Sequence, residues 1–472
     1  MSDTPSRMAT SLHDLGAGEM IAGFRDKAFS PSEALEDVIS HVAAWEPHIK
    51  ALYAFDPDGA RAVAKASTER WHKGTPVGPL DGVPATIKEN IATRGVPVPL
   101  GAATTKLVPA AADAPPAARL REAGAVIFSK TTMPDYGMLS SGLSSFHPLT
   151  RNPWDLSKNP GGSSAGAAAA GAAGYGPLHV GTDIGGSVRL PACWCGLVGL
   201  KPSLGRIPID PSYVGRVAGP MTRSVADAAL MMSVLSLPDA RDGMSLPPQD
   251  FDWHDLDIDL TGLRIGLNLD LGFALPLDQA VRDVAIQAAR VLESAGAIVT
   301  EVPPIMTREL LDGLDNFWRA RSWDDLAKLT TDERSTALPY IYQWAESGSK
   351  LSGLDVIRGF NATMAIRTAA AKQFAELDYL ISPVSPVVNF AAEWASPIND
   401  PYKPFEHIGY TVAWNMSEQP AVSINGGYDA KGFPIGVQIV GRRFDDVGVL
   451  KVAKAFETLR GAQKPWPVPP KT

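Results

Sequence analysis

Short apolar runs alternate with stretches of helical periodicity along much of this chain. Residues 117–123 have a helical pattern and are followed by an apolar run over 125–129. The same order returns as an apolar run over 263–268, a helical pattern over 281–294 and an apolar run over 297–302. Alternation of this kind predicts buried strands that pack against helices. We therefore expect an α/β fold built in layers.

Both ends of the chain extend this pattern. Residues 9–72 are predicted to be helical, and Ser30 and Pro31 suit an N-cap and a first helical position. A short apolar strand over 83–87 ends directly before Lys88. Toward the C-terminus we predict two strands and a closing helix, over 378–383, 436–441 and 447–459.

Residues 303–375 break the alternation, because they have helical patterns without intervening strands and are rich in aromatic residues. The aromatic residues include Phe317, Trp318, Trp323, Tyr340, Tyr342, Trp344 and Phe360. One interpretation is a helical region that packs its own core. A second is a cover over an active site, whose aromatic side chains shape the substrate pocket. The two interpretations are compatible.

Composition and charge argue against several classes of function. The chain has 472 residues, of which 45% are apolar and 20% charged, which is ordinary for a large globular protein. A net charge of −8 and a pI of about 5.6 indicate no basic surface, so we expect neither nucleic acid nor a membrane as partner. The first residues lack an apolar signal segment, and we expect a cytoplasmic protein. The oligomeric state stays open, a homodimer included.

The two cysteines, Cys193 and Cys195, are separated by one residue. This excludes a disulfide framework and fits a reducing compartment. A second cysteine pair that would complete a metal site is missing. We expect both to be small buried residues that pack behind the loop containing Ser187.

Candidate chemistry lies in a glycine-rich stretch over 159–189. Ser163 and Ser187 each follow two consecutive glycines, which let backbone N–H groups approach a ligand closely. Such an arrangement suits a nucleophile beside a site that stabilises an oxyanion. Between the two serines, residues 165–173 are Ala and Gly and predict a closely packed helix, with Ser163 or Ser164 as its N-cap.

A serine nucleophile needs a base, and the sequence offers two kinds. None of the eight histidines lies in a catalytic motif. The residues from Gly162 to Gly166 match the G-x-S-x-G nucleophile elbow formally, but the strand that must precede an elbow is missing. Lys88 is the better base, although a lone lysine is usually solvated. To accept a proton near neutral pH it must be desolvated or lie near positive charge.

Together these motifs resemble the amidase signature family over nearly the whole chain. The matching stretches are Gly82-Val83-Pro84 with Lys88, Gly124-Ala125-Val126-Ile127, Arg151-Asn152-Pro153-Trp154, Gly161-Gly162-Ser163-Ser164, Gly181 to Arg189, Gly199-Leu200-Lys201-Pro202, Gly219 to Asp227 and Gly436-Val437-Gln438. The resemblance implies one catalytic domain over 9–462, with a mixed central β-sheet covered by helices on both faces. It leaves residues 1–8 and 463–472 as flexible termini.

The resemblance also implies a catalytic triad that needs no cofactor and no metal. Ser187 resembles the nucleophile, Ser163 the bridging serine that follows a cis peptide bond, and Lys88 the base. The oxyanion is implied to be held by the backbone N–H groups of Ile184, Gly185, Gly186 and Ser187. Supporting roles are implied for Ser164, Asp183 and Arg189. The pocket wall is assigned to Tyr136, Gly137 and Met138, and Trp414 and Asn425 are expected to approach the site.

The resemblance indicates a small-molecule amide as substrate. The aromatic region favours an apolar or aryl amide or anilide, with carbamates and esters as further candidates. One alternative is an amidotransferase A-type subunit that releases ammonia from glutamine. That role conflicts with the unusual residues 237–243 and with the lack of a recognisable glutamine-binding pattern of Arg and Asp in 303–375. A non-catalytic binding protein is another alternative, but all three triad residues are present.

Overall fold

A computed structural model describes residues 11–470; the expected flexible segment 1–8 lies outside the described residues. Within them, eleven strands form one sheet with the order β1-β3-β2-β4-β6-β5-β10-β11-β9-β7-β8. The strands are β1 Leu52–Tyr53, β2 Pro84–Lys88, β3 Val126–Thr131, β4 Leu178–Asp183, β5 Val198–Lys201, β6 Val217–Thr222, β7 Arg264–Leu267, β8 Ile298–Glu301, β9 Tyr379–Pro383, β10 Ala421–Tyr428 and β11 Pro434–Gly441. The sheet is mixed, because β2 pairs in parallel with both β3 and β4 while β6 pairs antiparallel with β4 and β5.

Helices cover both faces of this sheet. They are α1 Ala17–Arg25, α2 Pro31–Ile49, α3 Pro57–Lys73, α4 Pro115–Glu122, α5 Ala165–Ala173, α6 Arg189–Cys195, α7 Val225–Leu235, α8 Gln279–Ser294, α9 Arg308–Ala327, α10 Thr331–Arg334, α11 Pro339–Ser347, α12 Gly353–Gln373, α13 Val412–Met416 and α14 Asp446–Leu459. The expected α/β class and mixed sheet are thus confirmed. Among these helices and strands, none of the helices is both long and apolar enough to cross a membrane.

Local signals in the sequence account for most of these elements. Ser30 accepts a hydrogen bond from the backbone N–H of Glu33 at the start of α2, as its N-cap position predicts. The predicted strand–helix–strand order over 263–302 is present as β7, α8 and β8, and the Ala/Gly stretch forms α5 over the predicted residues.

Side chains of β2 alternate between two environments. Ala85 and Ile87 belong to the large core on one face of the sheet, to which α1, α4, α7, α8 and α14 contribute. Thr86 and Lys88 are buried on the other face, and Thr86 Oγ1 lies 2.8 Å from Nδ1 of His179 on β4. Because side chains alternate along a strand, the apolar residues of β2 bury one face and direct Lys88 to the other.

The region 303–375 forms α9 to α12, and most of its aromatic residues pack against each other or against nearby loops. The rings of Phe317 and Phe360 are 5.5 Å apart, and Trp318 and Trp344 both contact Phe405 edge-on. The region does not form a core of its own, because Trp318 and Trp344 share one core with α6, α13, β9 and β11.

The last described residues lie against the body of the protein without helix or strand. Gln463 accepts a hydrogen bond from Asn425 Nδ2 at 2.9 Å. The ring of Trp466 lies 6.0 Å from that of Trp154, and the guanidinium of Arg223 lies 4.4 Å from the Trp466 ring. Residues 463–470 are therefore extended and in contact with the domain.

Candidate active site

Two neighbouring parallel strands bring the predicted triad together. Ile87 of β2 is paired with Val180 of β4, and the two strands end at Lys88 and Asp183. Because parallel strands have their carboxyl ends at the same edge of a sheet, Lys88 lies beside the loop that contains Ser187.

Lys88 is buried among hydroxyl groups. Its Nζ lies 2.7 Å from Oγ of Ser163, 3.1 Å from Oγ of Ser164 and 3.0 Å from Oγ1 of Thr182. Among residues 11–470, no carboxylate forms an ion pair with this amine. Thr182 lies within the matching stretch Gly181 to Arg189, but no role was assigned to it from the sequence.

The environment of Lys88 favours its neutral form. Burial, and next the positive charge of Arg216, lower the pKa of Lys88 well below its usual range. The carboxylates of Asp183 and Glu89 raise it, but their effect is the smaller one. A lysine held in this way can accept a proton near neutral pH.

Ser164 occupies the N-cap position of α5, but its side chain makes no capping hydrogen bond. Its hydroxyl instead accepts a hydrogen bond from the backbone N–H of Thr182 at 3.2 Å and lies near Lys88 Nζ. The expected N-cap position of Ser164 is therefore confirmed, but the capping hydrogen bond that such a side chain usually accepts is absent. The hydroxyl bonds to the adjacent strand and the buried amine, which leaves it unavailable to the helix.

Ser163 and Ser187 face the same cavity. The peptide bond between Gly162 and Ser163 is cis, as the resemblance implies. The backbone N–H of Ser164 donates to the carbonyl of Ser187 at 3.2 Å, which joins the two glycine-rich stretches directly. Both serines line a cavity of about 350 Å³, in which Ser187 is half-buried and Ser163 is buried next to Lys88.

Asp183 and Arg189 hold the loop of Ser187 in place. Asp183 accepts hydrogen bonds from the N–H groups of Gly186 and Val188, at 2.8 and 3.0 Å. Burial acts to raise the pKa of Asp183, but the charge and hydrogen bonds of Arg189, with smaller contributions from other donors, bring it well below its usual range. The Arg189 guanidinium, fully buried, also donates to Asn415 Oδ1 at 2.6 Å.

The N–H groups expected to hold an oxyanion differ in availability. That of Gly186 is engaged by Asp183. In the part of the chain that the structure describes, the N–H groups of Ile184, Gly185 and Ser187 donate to no protein acceptor. These three remain candidates, whereas Gly186 supports the loop.

The cavity wall includes the three residues expected from the sequence, Tyr136, Gly137 and Met138. An apolar extension of about 40 Å³ leads from Ser187 toward Trp318, Phe405 and Ile408. Trp318 is thus the aromatic residue of the 303–375 region that fits the cover interpretation. Trp414 and Asn425 do not line the cavity.

The cavity also contains charged side chains that the sequence did not reveal. They are Asp210, Arg216, Arg321 and Asp325. Two of them belong to the irregular segment between β5 and β6 and two to α9, where single charged residues are ordinarily surface positions. Only the tertiary structure brings them beside the serines. Their presence also removes part of the argument against a glutamine site, since Arg321 and Asp325 lie within 303–375.

Histidine and cysteine are not placed to act in this cavity. None of the chain's histidines, all of which the structure describes, is among the lining residues. Cys193 and Cys195 are buried in α6, and burial raises the pKa of the Cys193 thiol to about 12. Over residues 11–470, no group of three or more His, Cys, Asp or Glu side chains is arranged to hold a metal ion.

Comparison with known proteins identifies the family. A family model described as Amidase matches residues 33–450. The chain belongs to the amidase family. This amidase is 33% identical over 482 residues to the A subunit of glutamyl-tRNA(Gln) amidotransferase from Chloroflexus aurantiacus, with 95% of this chain and 97% of that relative covered. It is 32% identical over 467 residues to an acylamidase of Rhodococcus erythropolis, with 97% of each chain covered.

Solved structures give the same result. A bacterial aryl acylamidase of the amidase signature family superimposes with a TM-score of 0.87 at 29% identity, covering 95% of this chain and 97% of that one. A 6-aminohexanoate cyclic dimer hydrolase complexed with substrate superimposes with a TM-score of 0.85 at 26% identity, covering 95% and 98%. The amidase is accordingly a hydrolase that acts on amides.

Proposed function

We propose that this amidase hydrolyses the C–N bond of a carboxamide through an acyl-enzyme on Ser187. The observation that carries the proposal is the buried amine of Lys88, which contacts Ser163 Oγ and has a lowered pKa. A serine hydroxyl becomes an effective nucleophile only when a neighbouring base can take its proton. The neutral lysine supplies that base.

The proton path runs through Ser163. Ser187 attacks the carbonyl carbon while its proton passes to Ser163, and the Ser163 proton passes to Lys88. Collapse of the tetrahedral intermediate breaks the C–N bond, and the proton returns by the same path to the leaving amine. Water then takes the place of the amine and cleaves the ester of Ser187, which releases the acid.

The developing oxyanion is stabilised by backbone N–H groups. Those of Ile184, Gly185 and Ser187 are the candidates, because they have no protein acceptor among the described residues. Donors that are already oriented need no reorganisation when charge appears on the carbonyl oxygen. The hydrogen bonds that Asp183 accepts from Gly186 and Val188 keep this loop in position.

The preferred substrate is an amide with an apolar or aryl group. Trp318, Phe405 and Ile408 form an apolar extension beside Ser187 that suits such a group. The similarity to an aryl acylamidase supports the same class. Carbamates and esters with the same apolar group are further candidates, since the attack on their carbonyl is equivalent.

Glutamine is the second candidate substrate. The similarity to amidotransferase A subunits favours it, as does the presence of Arg321 and Asp325 in the cavity. In that role the amidase releases ammonia from the side-chain amide by the same acyl-enzyme chemistry.

One panel of substrates tests both candidates. Wild type, Ser187→Ala and Lys88→Ala are assayed on an anilide, a primary amide, an ester and a carbamate with one acyl group, and on glutamine. We expect the anilide to be cleaved fastest by wild type, no cleavage by Ser187→Ala, and a loss of at least about 10³-fold for Lys88→Ala because the triad acts as a unit. Intact-protein mass spectrometry with a slowly cleaved aryl ester should detect an acyl adduct in wild type and none in Ser187→Ala.

Ser233→Ala is the matched control, because Ser233 lies in α7 and its hydroxyl donates to Leu230 within the same helix. It should retain wild-type activity. Activity in Ser187→Ala would contradict the nucleophile, and near-normal activity in Lys88→Ala would contradict the base. Faster cleavage of glutamine than of every apolar amide would replace the first substrate class by the second.

A further inference from the structure

Two arginines in the active-site cavity have no carboxylate partner. Arg216 precedes β6 and Arg321 belongs to α9, and both line the cavity that contains Ser163 and Ser187. Within residues 11–470, neither guanidinium has a carboxylate oxygen within 4.0 Å. Arg216 is half-buried and Arg321 is exposed. An arginine that is partly removed from water is normally paired, so Arg216 is the unusual one of the two.

Arg216 is held in place by a weak partner. Its Nη1 donates to the carbonyl of Pro211 at 2.8 Å, which leaves other N–H donors of the guanidinium free. Burial, and next the positive charge of Arg321, lower the pKa of Arg216 to about 10. An anion bound beside Arg216 would offset both the burial of its charge and the repulsion from Arg321.

Arg321 is oriented by an aromatic ring. Its guanidinium carbon lies 3.8 Å from the centre of the Tyr213 ring. Stacking of this kind fixes the plane of the guanidinium and leaves its edge available for hydrogen bonds. Arg321 also lines the apolar extension with Trp318, so it lies between the charged and the apolar part of the cavity.

Three carboxylates line the same cavity, and one of them, Asp183, is paired with Arg189. The formal charges of the other two balance those of the two arginines. Asp210 and Asp325 are both exposed, whereas Arg216 is half-buried. Asp210 raises the pKa of Arg216, but neither aspartate forms an ion pair with it. The unpaired guanidinium groups are therefore still the strongest hydrogen-bond donors in the cavity.

We propose that the preferred amide substrate of this enzyme carries a carboxylate, which Arg216 and Arg321 bind. This inference rests on the proposed amide hydrolysis at Ser187. A planar carboxylate matches the donor geometry of a guanidinium and can bridge two of them. The apolar part of the substrate then lies toward Trp318, so that the two arginines determine specificity and the triad carries out the chemistry.

Matched substrate pairs test the proposal. Glutaryl 4-nitroanilide and pentanoyl 4-nitroanilide differ by a carboxylate on the acyl side, and 3-acetamidobenzoate and acetanilide differ by one on the amine side. In wild type, kcat/KM for the carboxylate member of at least one pair should exceed that for its neutral partner about tenfold or more, the usual effect of a charged hydrogen bond. The ratio within a pair cancels any general change in catalysis.

Substitution of the arginines should remove this preference. Arg216→Gln and Arg321→Gln should each lower the ratio about tenfold, mainly through KM of the carboxylate substrate. Arg216→Lys keeps the charge and should retain part of the preference. Arg290→Gln, which removes an exposed arginine from α8, is the control and should leave the ratio unchanged.

Several outcomes would overturn the proposal. One is a kcat/KM ratio near one for both substrate pairs in wild type. Another is a ratio that neither Arg216→Gln nor Arg321→Gln changes. A preference for a 5-aminopentanoyl anilide would show that Asp210 and Asp325 determine specificity instead. Cleavage of the neutral anilide that depends on Ser187 confirms the chemistry in each of these cases, so failure of this proposal is distinguishable from failure of the proposed function. Because Arg321 is exposed, its variant keeps the test valid if Arg216→Gln does not fold.

Discussion

At the scale of single residues, the tertiary environment decides what Lys88 can do. A lysine in water is protonated near neutral pH and cannot act as a base. Here it is fully buried, and its Nζ is surrounded by the hydroxyls of Ser163, Ser164 and Thr182. The sequence predicted its position at the end of a strand, but the three hydroxyls come from residues 75 to 94 positions farther along the chain. Arg216, which also lowers its pKa, was not predicted at all.

The pH dependence of Arg216→Gln should report this effect. Because Arg216 lowers the pKa of Lys88, its removal raises that pKa, and Lys88 stays protonated to a higher pH. We expect the acidic limb of the kcat/KM profile for a neutral anilide to shift to higher pH. Arg321→Gln is the comparison, since Arg321 is not among the groups that alter the Lys88 pKa. A shift to lower pH, or no shift, would contradict the electrostatic role of Arg216.

At the scale of elements, α5 shows why small residues lie between the two serines. Every residue from Ala165 to Ala173 is buried, and the helix contacts β2, β3, β4 and β6. A Cβ on Gly166 would overlap the backbone of Ala51 and of Thr132. The Ala/Gly composition predicted a closely packed helix with the correct bounds. It could not predict which backbone segments the helix approaches.

Gly166→Ala should therefore destabilise the protein. Backbone atoms cannot move aside as a side chain does, and overpacking of this kind costs about 1–3 kcal/mol. Gly18→Ala at the start of α1 is the control, because nothing lies within 4 Å of the added Cβ, and the change should not destabilise the protein. Thermal or urea unfolding of both variants measures the difference. Equal stability of the two variants would contradict the close packing of α5.

At the scale of the whole molecule, complete burial of neutral histidines links folding to pH. His407 is buried beside Trp194, and burial lowers its pKa to about 3. His179 is buried in β4, and burial likewise lowers its pKa to about 3. Because the folded-state pKa is below the unfolded value, the unfolded chain binds more protons as the pH falls. Stability should thus be fully present above about pH 6.5 and decrease toward about pH 3.

His407→Phe should remove part of this decrease. The difference between the folded-state and unfolded-state pKa of His407 lowers the free energy of unfolding of wild type by about 2 kcal/mol at about pH 5 relative to pH 8. When the pH is lowered from about 8 to about 5, the free energy of unfolding of His407→Phe should therefore rise relative to that of wild type by about this amount. The same substitution at His254, which is exposed, should leave the pH dependence as in wild type. Parallel pH profiles for wild type and His407→Phe would contradict the buried neutral histidine.

The sequence by itself determined the class of fold and singled out the residues of the proposed triad. Apolar periodicity is a local property, and it predicted the elements around β7, α8 and β8 as well as the strand that ends at Lys88. The glycine-rich stretches of Ser163 and Ser187 are local as well. They point to the loops where backbone N–H groups approach a ligand.

The tertiary structure alone decided the electrostatics and the shape of the cavity. Thr182, Arg216 and Arg321 lie in one cavity with the serines only because β2, β4, the segment before β6 and α9 come together there. The Ser164 hydroxyl bonds to β4 and Lys88 instead of capping α5 for the same reason. Local patterns describe which residues form an element, whereas burial, charge pairing and pKa depend on neighbours that are distant in sequence.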